Sequence, residues 1–119
     1  MILVVEDEPM IRMVLREVLT DDGFEVIEAK DGAEARARFG PDVDVVLLDI
    51  RLPDANGLTL LKEFKQARPT CVVVMMTGHG VHDIEEDATR LGADRFLHKP
   101  FDVDDLSLLV REVTPVRPV

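Results

Sequence analysis

Apolar residues along this chain come in short runs that alternate with stretches repeating every three or four positions. Residues 2–5, Ile-Leu-Val-Val, form an apolar run closed by Glu6-Asp7-Glu8. Pro9 suits the first turn of a helix, where its missing N–H costs nothing. Met10, Val14 and Val18 then recur every four residues, as do Ile11, Leu15 and Leu19, which is the stripe of a helix facing a core. Gly23 ends that helix. Residues 24–29 alternate partially and predict a strand. Asp31 and Glu34 have capping-box spacing and open a second helix that stops at Gly40-Pro41. Residues 43–48 are mostly apolar and β-branched, as in a strand buried on both faces. A turn-rich segment runs from Arg51 to Gly57, and Leu58, Leu61 and Phe64 then mark a third helix. Residues 71–76 predict another buried strand.

Val81, Ile84, Ala88 and Leu91 fit a fourth helix with a thin apolar stripe. It is crowded with Asp83, Glu85, Glu86 and Asp87, which read as a solvated face, and Gly92 can cap it. Residues 95–98 are a short strand. Phe101 and Leu106 flank Asp102 at hydrophobic-staple spacing and open a last helix carrying Leu109, Val110 and Val113. The segment from Thr114 to Val119 holds Pro115 and Pro118 and cannot continue a helix. It reads as a tail or the start of a linker, leaving residues 1–113 as one domain.

Strand and helix therefore alternate five times. That order predicts an α/β fold, a parallel sheet with helices on both faces and right-handed crossovers. With 119 residues, 46% of them hydrophobic, such a domain can bury a sufficient core without a disulfide or metal staple. The single cysteine, Cys71, excludes an internal disulfide framework and a cysteine-rich zinc site. With Met75 and Met76 it reads as core packing. No apolar run approaches the ~20 residues of a membrane span, and the first residues lack the basic start of a signal peptide. A cytoplasmic protein is expected by default. The net charge of −10 argues against direct nucleic-acid binding, which needs a basic face. The first sixty residues hold most of the excess, with fourteen acids against six bases. The positions of those acids carry the chemistry.

Glu6 and Asp7 close the first strand, Asp49 the third, Thr77 the fourth and Lys99 the fifth. In a parallel sheet these ends share one edge, so the groups converge although they are distant in sequence. Strand 2 ends in Ala29-Lys30 and offers no acid. That fits an edge position for it, with strands 1 and 3 as neighbours, the order 2-1-3-4-5. Two carboxylates at 4 Å repel by roughly 4 kcal/mol at an effective dielectric of 20, so three together call for a cation. Oxygen-only ligands with open positions suit Mg²⁺, which phosphate oxygens commonly complete. The Lys99 ammonium and Thr77 hydroxyl suit phosphoryl oxygens as well. Phosphoryl transfer to a carboxylate is the chemistry this set suggests.

Four segments together resemble response-regulator receiver domains over about residues 2–113: Ile2-Leu3-Val4-Val5-Glu6-Asp7-Glu8, Leu47-Leu48-Asp49-Ile50-Arg51-Leu52-Pro53 running to Gly57, Met76-Thr77-Gly78-His79-Gly80, and Phe96-Leu97-His98-Lys99-Pro100-Phe101. The resemblance implies a flavodoxin-like (βα)5 doubly wound sheet in the order 2-1-3-4-5. It implies that Asp49 is the phosphoacceptor and that Asp7, Asp49 and the backbone carbonyl of Arg51 bind Mg²⁺, with Glu6 acting directly or through water. Many relatives carry Asp where Glu6 stands. Thr77 and Lys99 would contact the phosphoryl group, Thr77 and Phe96 would form a conformational switch, and the Lys99–Pro100 peptide would be cis. A sensor histidine kinase or histidine phosphotransfer protein would be the donor. The face built from helix 4, strand 5 and helix 5 would bind a partner or a second subunit, as a homodimer.

The resemblance implies a signalling module and not an enzyme in its own right. It could stand alone or head a longer regulator, transcriptional ones included. Two other functions compete. A haloacid-dehalogenase-type hydrolase also uses an Asp nucleophile and Mg²⁺, but such enzymes carry a second Asp where this chain has Arg51. A receiver-like module that is never phosphorylated would not need Asp7, Asp49, Thr77 and Lys99 together. The three histidines, His79, His82 and His98, are expected to face solvent.

Overall fold

A computed structural model of the chain describes residues 1–78 and 82–114. Its elements are β1 (Ile2–Val5), α1 (Pro9–Asp21), β2 (Val26–Ala29), α2 (Gly32–Arg38), β3 (Val45–Asp49), α3 (Gly57–Ala67), β4 (Val72–Thr77), α4 (His82–Arg90), β5 (Arg95–His98) and α5 (Val103–Val113). The five strands are parallel in the order β2-β1-β3-β4-β5, as expected.

Side chains alternate across a strand, so each strand feeds two cores. Leu3, Val5, Val46, Leu48, Val73 and Met75 pack with α2, α3 and α4 through Ala35, Leu60, Leu61, Phe64 and Ala88. Ile2, Val4, Val45, Leu47, Val74 and Met76 point the other way, onto Leu15 and Leu19 of α1 and Leu106 and Val110 of α5. The inner strands are therefore apolar up to their carboxyl ends, where β3 closes on Asp49 and β4 on Thr77, while β2, at the edge, is only half-buried along most of its length. On the first core, Phe64 stacks on Phe39 with ring centres 4.2 Å apart. Truncating such a buried ring to Ala costs about 3–5 kcal/mol. Cys71, Met75 and Met76 are all buried core residues.

Local signals set the helix ends. The Asp31 side chain accepts from the Glu34 amide at 2.8 Å, while Glu34 reaches back to the Lys30 amide at 3.0 Å, one residue before the box's usual partner. Asp102 caps α5, with Phe101 and Leu106 both packed in the second core. Gly23 and Gly92 end α1 and α4 at φ of +94° and +106°, conformations that side chains with a Cβ rarely adopt.

Three expectations need correction. In α1 the row of Ile11, Leu15 and Leu19 faces the sheet, but Met10 and Val14 of the neighbouring row lie on the surface, Met10 at 76% exposure. The two rows are about 100° apart, and the second is partly covered only at its far end, by way of Val18. The strand expected over 24–29 begins at Val26, because four-residue β1 offers only four partners. The strands expected over 43–48 and 71–76 run Val45–Asp49 and Val72–Thr77, which brings Asp49 and Thr77 inside the ladder. Val81, His79 and the tail from Pro115 lie outside the described residues.

Candidate functional site: the carboxyl edge of the sheet

β1 and β3 lie side by side, with Val5 paired to Leu48. Glu6 and Asp7 therefore emerge beside Asp49. One carboxylate oxygen from each of the three lies within 4.8 Å of the others. Their surroundings differ. Glu6 is fully buried, Asp49 is nearly so, and Asp7 is exposed. Lys99, from the end of β5, spans the gap: its Nζ donates to Glu6 Oε1 at 2.7 Å and to Asp49 Oδ2 at 3.1 Å. The other oxygen of Asp49 accepts from the Arg51 amide at 3.3 Å.

The charges are matched to their burial. Burial pushes the Glu6 carboxyl up from 4.5 to about 8; the neighbouring Asp49 adds to the rise and the Lys99 ammonium opposes it. Burial works against the Lys99 charge, but Glu6 and Asp49 outweigh it and hold Lys99 above the ordinary lysine value. Glu6 Oε2 is buried with no hydrogen-bond partner among the described residues. An orphaned buried oxygen beside two more carboxylates is a donor set that fits a hard cation. The chain thus has the residues to hold Mg²⁺.

Backbone placement comes from three devices that the periodicity does not reveal. Arg12 donates from Nη1 to the carbonyl of Glu6 at 2.8 Å and to that of Asp7 at 3.4 Å, tying the β1–α1 loop to α1. Asp54 accepts from the amides of Gly32 and Ala33 at 2.7 and 3.0 Å, anchoring the β3–α3 loop to the start of α2. Those amides hold the Asp54 carboxyl below its usual range. At Gly57 a Cβ would sit 2.4 Å from the Asp49 carbonyl and 2.6 Å from Ile50 Cα, so only glycine lets α3 start against the end of β3.

A cleft of about 340 Å³ opens over this corner, lined among others by Asp7, Asp49, Arg51, Gly78 and Lys99. The family model described as the response regulator receiver domain matches residues 2–111. The chain belongs to the response regulator receiver domain family. Receiver domains take a phosphoryl group on an acidic pocket that binds Mg²⁺ and interact with histidine kinases and phosphotransfer proteins; they are generally not enzymes. This receiver is 37% identical to the chemotaxis protein CheY of Bacillus subtilis over 105 residues, covering 87% of this chain and 88% of that protein. It is 41% identical to the DNA-binding transcriptional regulator NtrC of Escherichia coli (strain K12), covering 90% of this chain but 23% of that protein. The crystal structure of the receiver domain of NtrX from Brucella abortus superimposes with a TM-score of 0.89 at 39% identity, covering 95% of this chain and 97% of that one. Receivers of this kind thus occur both alone and at the head of longer regulators. No helix among the described residues is long and apolar enough to cross a membrane.

The other residues singled out in the sequence form a second corner. Thr77 is buried at the end of β4, but its hydroxyl donates to Glu85 Oε1 of α4 at 3.4 Å, away from Asp49. Phe96 is half-buried on β5 against the first core. It walls a groove of about 450 Å³ with Glu85, Glu86, Thr89 and Arg90. The Lys99–Pro100 peptide is cis. Arg51 is exposed and forms an isolated bridge with Asn56. His98 faces solvent as expected, and its ring also meets the Glu85 carboxylate. One expectation fails here. Glu85 is not part of a wet face; its side chain is only 24% exposed. The sequence held a signal for this: position 85 adjoins the inward stripe of Ile84 and Ala88, one turn into the helix.

Proposed function

We propose that this receiver accepts a phosphoryl group on Asp49 from a histidine kinase or histidine phosphotransfer protein. The reading rests on one observation: among Glu6, Asp7 and Asp49, only Asp49 both lines the cleft and touches the Lys99 ammonium. Glu6 touches Lys99 but is sealed from solvent, and Asp7 is open but without that contact. An oxygen of Asp49 attacks phosphorus; the bond from phosphorus to the donor nitrogen, or to oxygen in acetyl phosphate, breaks and the donor leaves with the electron pair. Lys99 then pairs with phosphoryl oxygen in place of the carboxylate.

Glu6, Asp7, Asp49 and the Arg51 carbonyl hold Mg²⁺, with Glu6 reaching it directly or through water. When bound, the ion neutralises charge on the phosphoryl oxygens. Thr77 turns to the phosphoryl group and Phe96 moves into the space it leaves, altering the face of α4, β5 and α5 where a partner or second copy binds. The domain ends near residue 113, and residues 114–119 serve as tail or linker. Incubation with acetyl phosphate and Mg²⁺, followed by intact mass, tests the assignment. A stable adduct is expected, and Asp49→Asn removes it. Equal labelling of Asp49→Asn would move the acceptor elsewhere. Turnover without an adduct would favour a hydrolase, and no reaction a binding module.

A further inference from the structure

Thr77 and His98 are register partners at the ends of β4 and β5. Paired residues share a sheet face, and here that face is the one α4 covers. One oxygen, Glu85 Oε1, meets both: the Thr77 hydroxyl at 3.4 Å and the ring of His98. Glu85 is the single hydrogen-bond partner of the Thr77 side chain among the described residues. The helix backbone that carries this carboxylate is anchored. Ile84 and Ala88 on either side pack into the first core, and the Thr89 hydroxyl holds the Glu85 carbonyl at 2.9 Å.

We propose that Glu85 is a positioning residue that parks the Thr77 hydroxyl away from Asp49, with His98 steadying its carboxylate. The proposal rests on the reading of Asp49 as phosphoacceptor and adds what opposes the switch. Thr77 has one O–H to donate. It donates to Glu85 at rest and to phosphoryl oxygen after transfer, so the two acceptors compete. At 3.4 Å the resting bond is long, and a phosphoryl group carrying nearly two charges is the stronger acceptor. The parked state is thus a shallow default. When Thr77 leaves, Glu85 loses one of its two tethers, and the first turns of α4 loosen on the side where Phe96 lies.

Removing the competitor should make activation easier. A hydrogen bond of this kind corresponds to roughly a two- to tenfold shift in population. Titration with beryllofluoride and Mg²⁺, which mimic the phosphoryl group, reads it. Glu85→Ala is expected to tighten apparent affinity about two- to tenfold. Glu85→Gln keeps an acceptor oxygen and removes the charge, so it should stay near the parent value. In a Thr77→Val background, Glu85→Ala should change nothing. His98→Ala should give a smaller gain, absent once Glu85 is Ala. In the unliganded protein, the Thr77 methyl resonance should move in Glu85→Ala and not in Glu85→Gln.

Equal gains from Ala and Gln would show a charge effect and overturn the proposal. So would a gain that survives Thr77→Val, or a Thr77 resonance indifferent to Glu85→Ala. An unchanged His98→Ala overturns the part given to histidine. Failure of the parent protein to bind beryllofluoride would instead overturn the assignment of Asp49, and the unliganded Thr77 resonance would still decide the parking contact.

Discussion

The carboxyl edge of the sheet has two corners built on opposite terms. At the β1–β3 corner, Glu6, Asp49 and Lys99 are locked by short charged contacts, and the α3 backbone presses against the end of β3. At the β4–β5 corner, Thr77, Glu85 and His98 share one acceptor oxygen, and α4 contributes Ala88 as its one fully buried side chain among the described residues. The inner helix α3, by contrast, buries Leu60, Leu61 and Phe64. Chemistry that depends on alignment needs the first kind of corner, because a small displacement of a carboxylate or ammonium is costly there. A readout that must move needs the second, because elements with few buried contacts open at low free energy.

Paired glycine substitutions test this contrast most severely. Gly57→Ala places a methyl group inside the β3 backbone and should cost about 3 kcal/mol or more in urea denaturation, since backbone on both sides cannot yield. Gly78→Ala, at the other corner, meets nothing within 4 Å and should cost less than about 0.5 kcal/mol. Similar costs at the two positions would erase the distinction.

Lys99→Ala comes next. It leaves Asp49 and the buried Glu6 without their ammonium, at an expected cost of about 1–3 kcal/mol, reduced because Lys99 is partly solvated and Glu6 already holds a proton below about pH 8. Mg²⁺ binding should survive, because Lys99 offers no ligand oxygen. A calorimetric titration that loses Mg²⁺ along with Lys99 would show that the ammonium organises the carboxylates rather than merely balancing them.

Proton linkage gives a smaller, directional effect. Glu6 titrates near 8 when folded and near 4.5 when unfolded. The folded state therefore holds the extra proton between these values. Glu6's stabilisation is fully present below about 4.5 and declines as pH rises to about 8, by at most about 1.4 kcal/mol per pH unit. Glu6→Gln should flatten that slope in denaturant melts without Mg²⁺. Mg²⁺ needs the deprotonated carboxylate, so its apparent affinity should tighten by up to about tenfold per unit over the upper part of the same window. At ten times its dissociation constant Mg²⁺ should stabilise the fold by about 1.4 kcal/mol, and Asp7→Ala should blunt that gain.

The smallest expected effect lies on the exposed side of α4. Arg90→Ala removes a surface ion pair with Asp87 and should change stability by no more than about 0.5 kcal/mol. Amide exchange should nevertheless be faster in α4 than in α3, with or without Arg90. Equal protection of the two helices would mean that the second corner is as fixed as the first.

Glu6, Asp7, Asp49, Thr77 and Lys99 were legible in the chain because a parallel sheet sends the ends of all its strands to one edge, and period-2 and period-3.6 patterning marks where each strand stops. The alternation of elements and the lack of an acid after β2 fitted the strand order, which rested in part on the resemblance to receiver domains. The caps at Asp31 and Asp102 were equally plain, because a cap is decided within a few residues of itself. Contacts between elements were not. Which row of α1 meets the sheet, that Asp54 reaches the amides of α2, that Gly57 is squeezed by β3, and that Glu85 turns inward to Thr77 and His98 depend on the rotation and docking of whole helices. Those are set by the summed packing of two cores rather than by any local pattern. The residues of the candidate site are written in the sequence; the inward turn of Glu85 came only with the tertiary structure, because about 100° of helix rotation separates the solvated Glu86 from the half-buried Glu85.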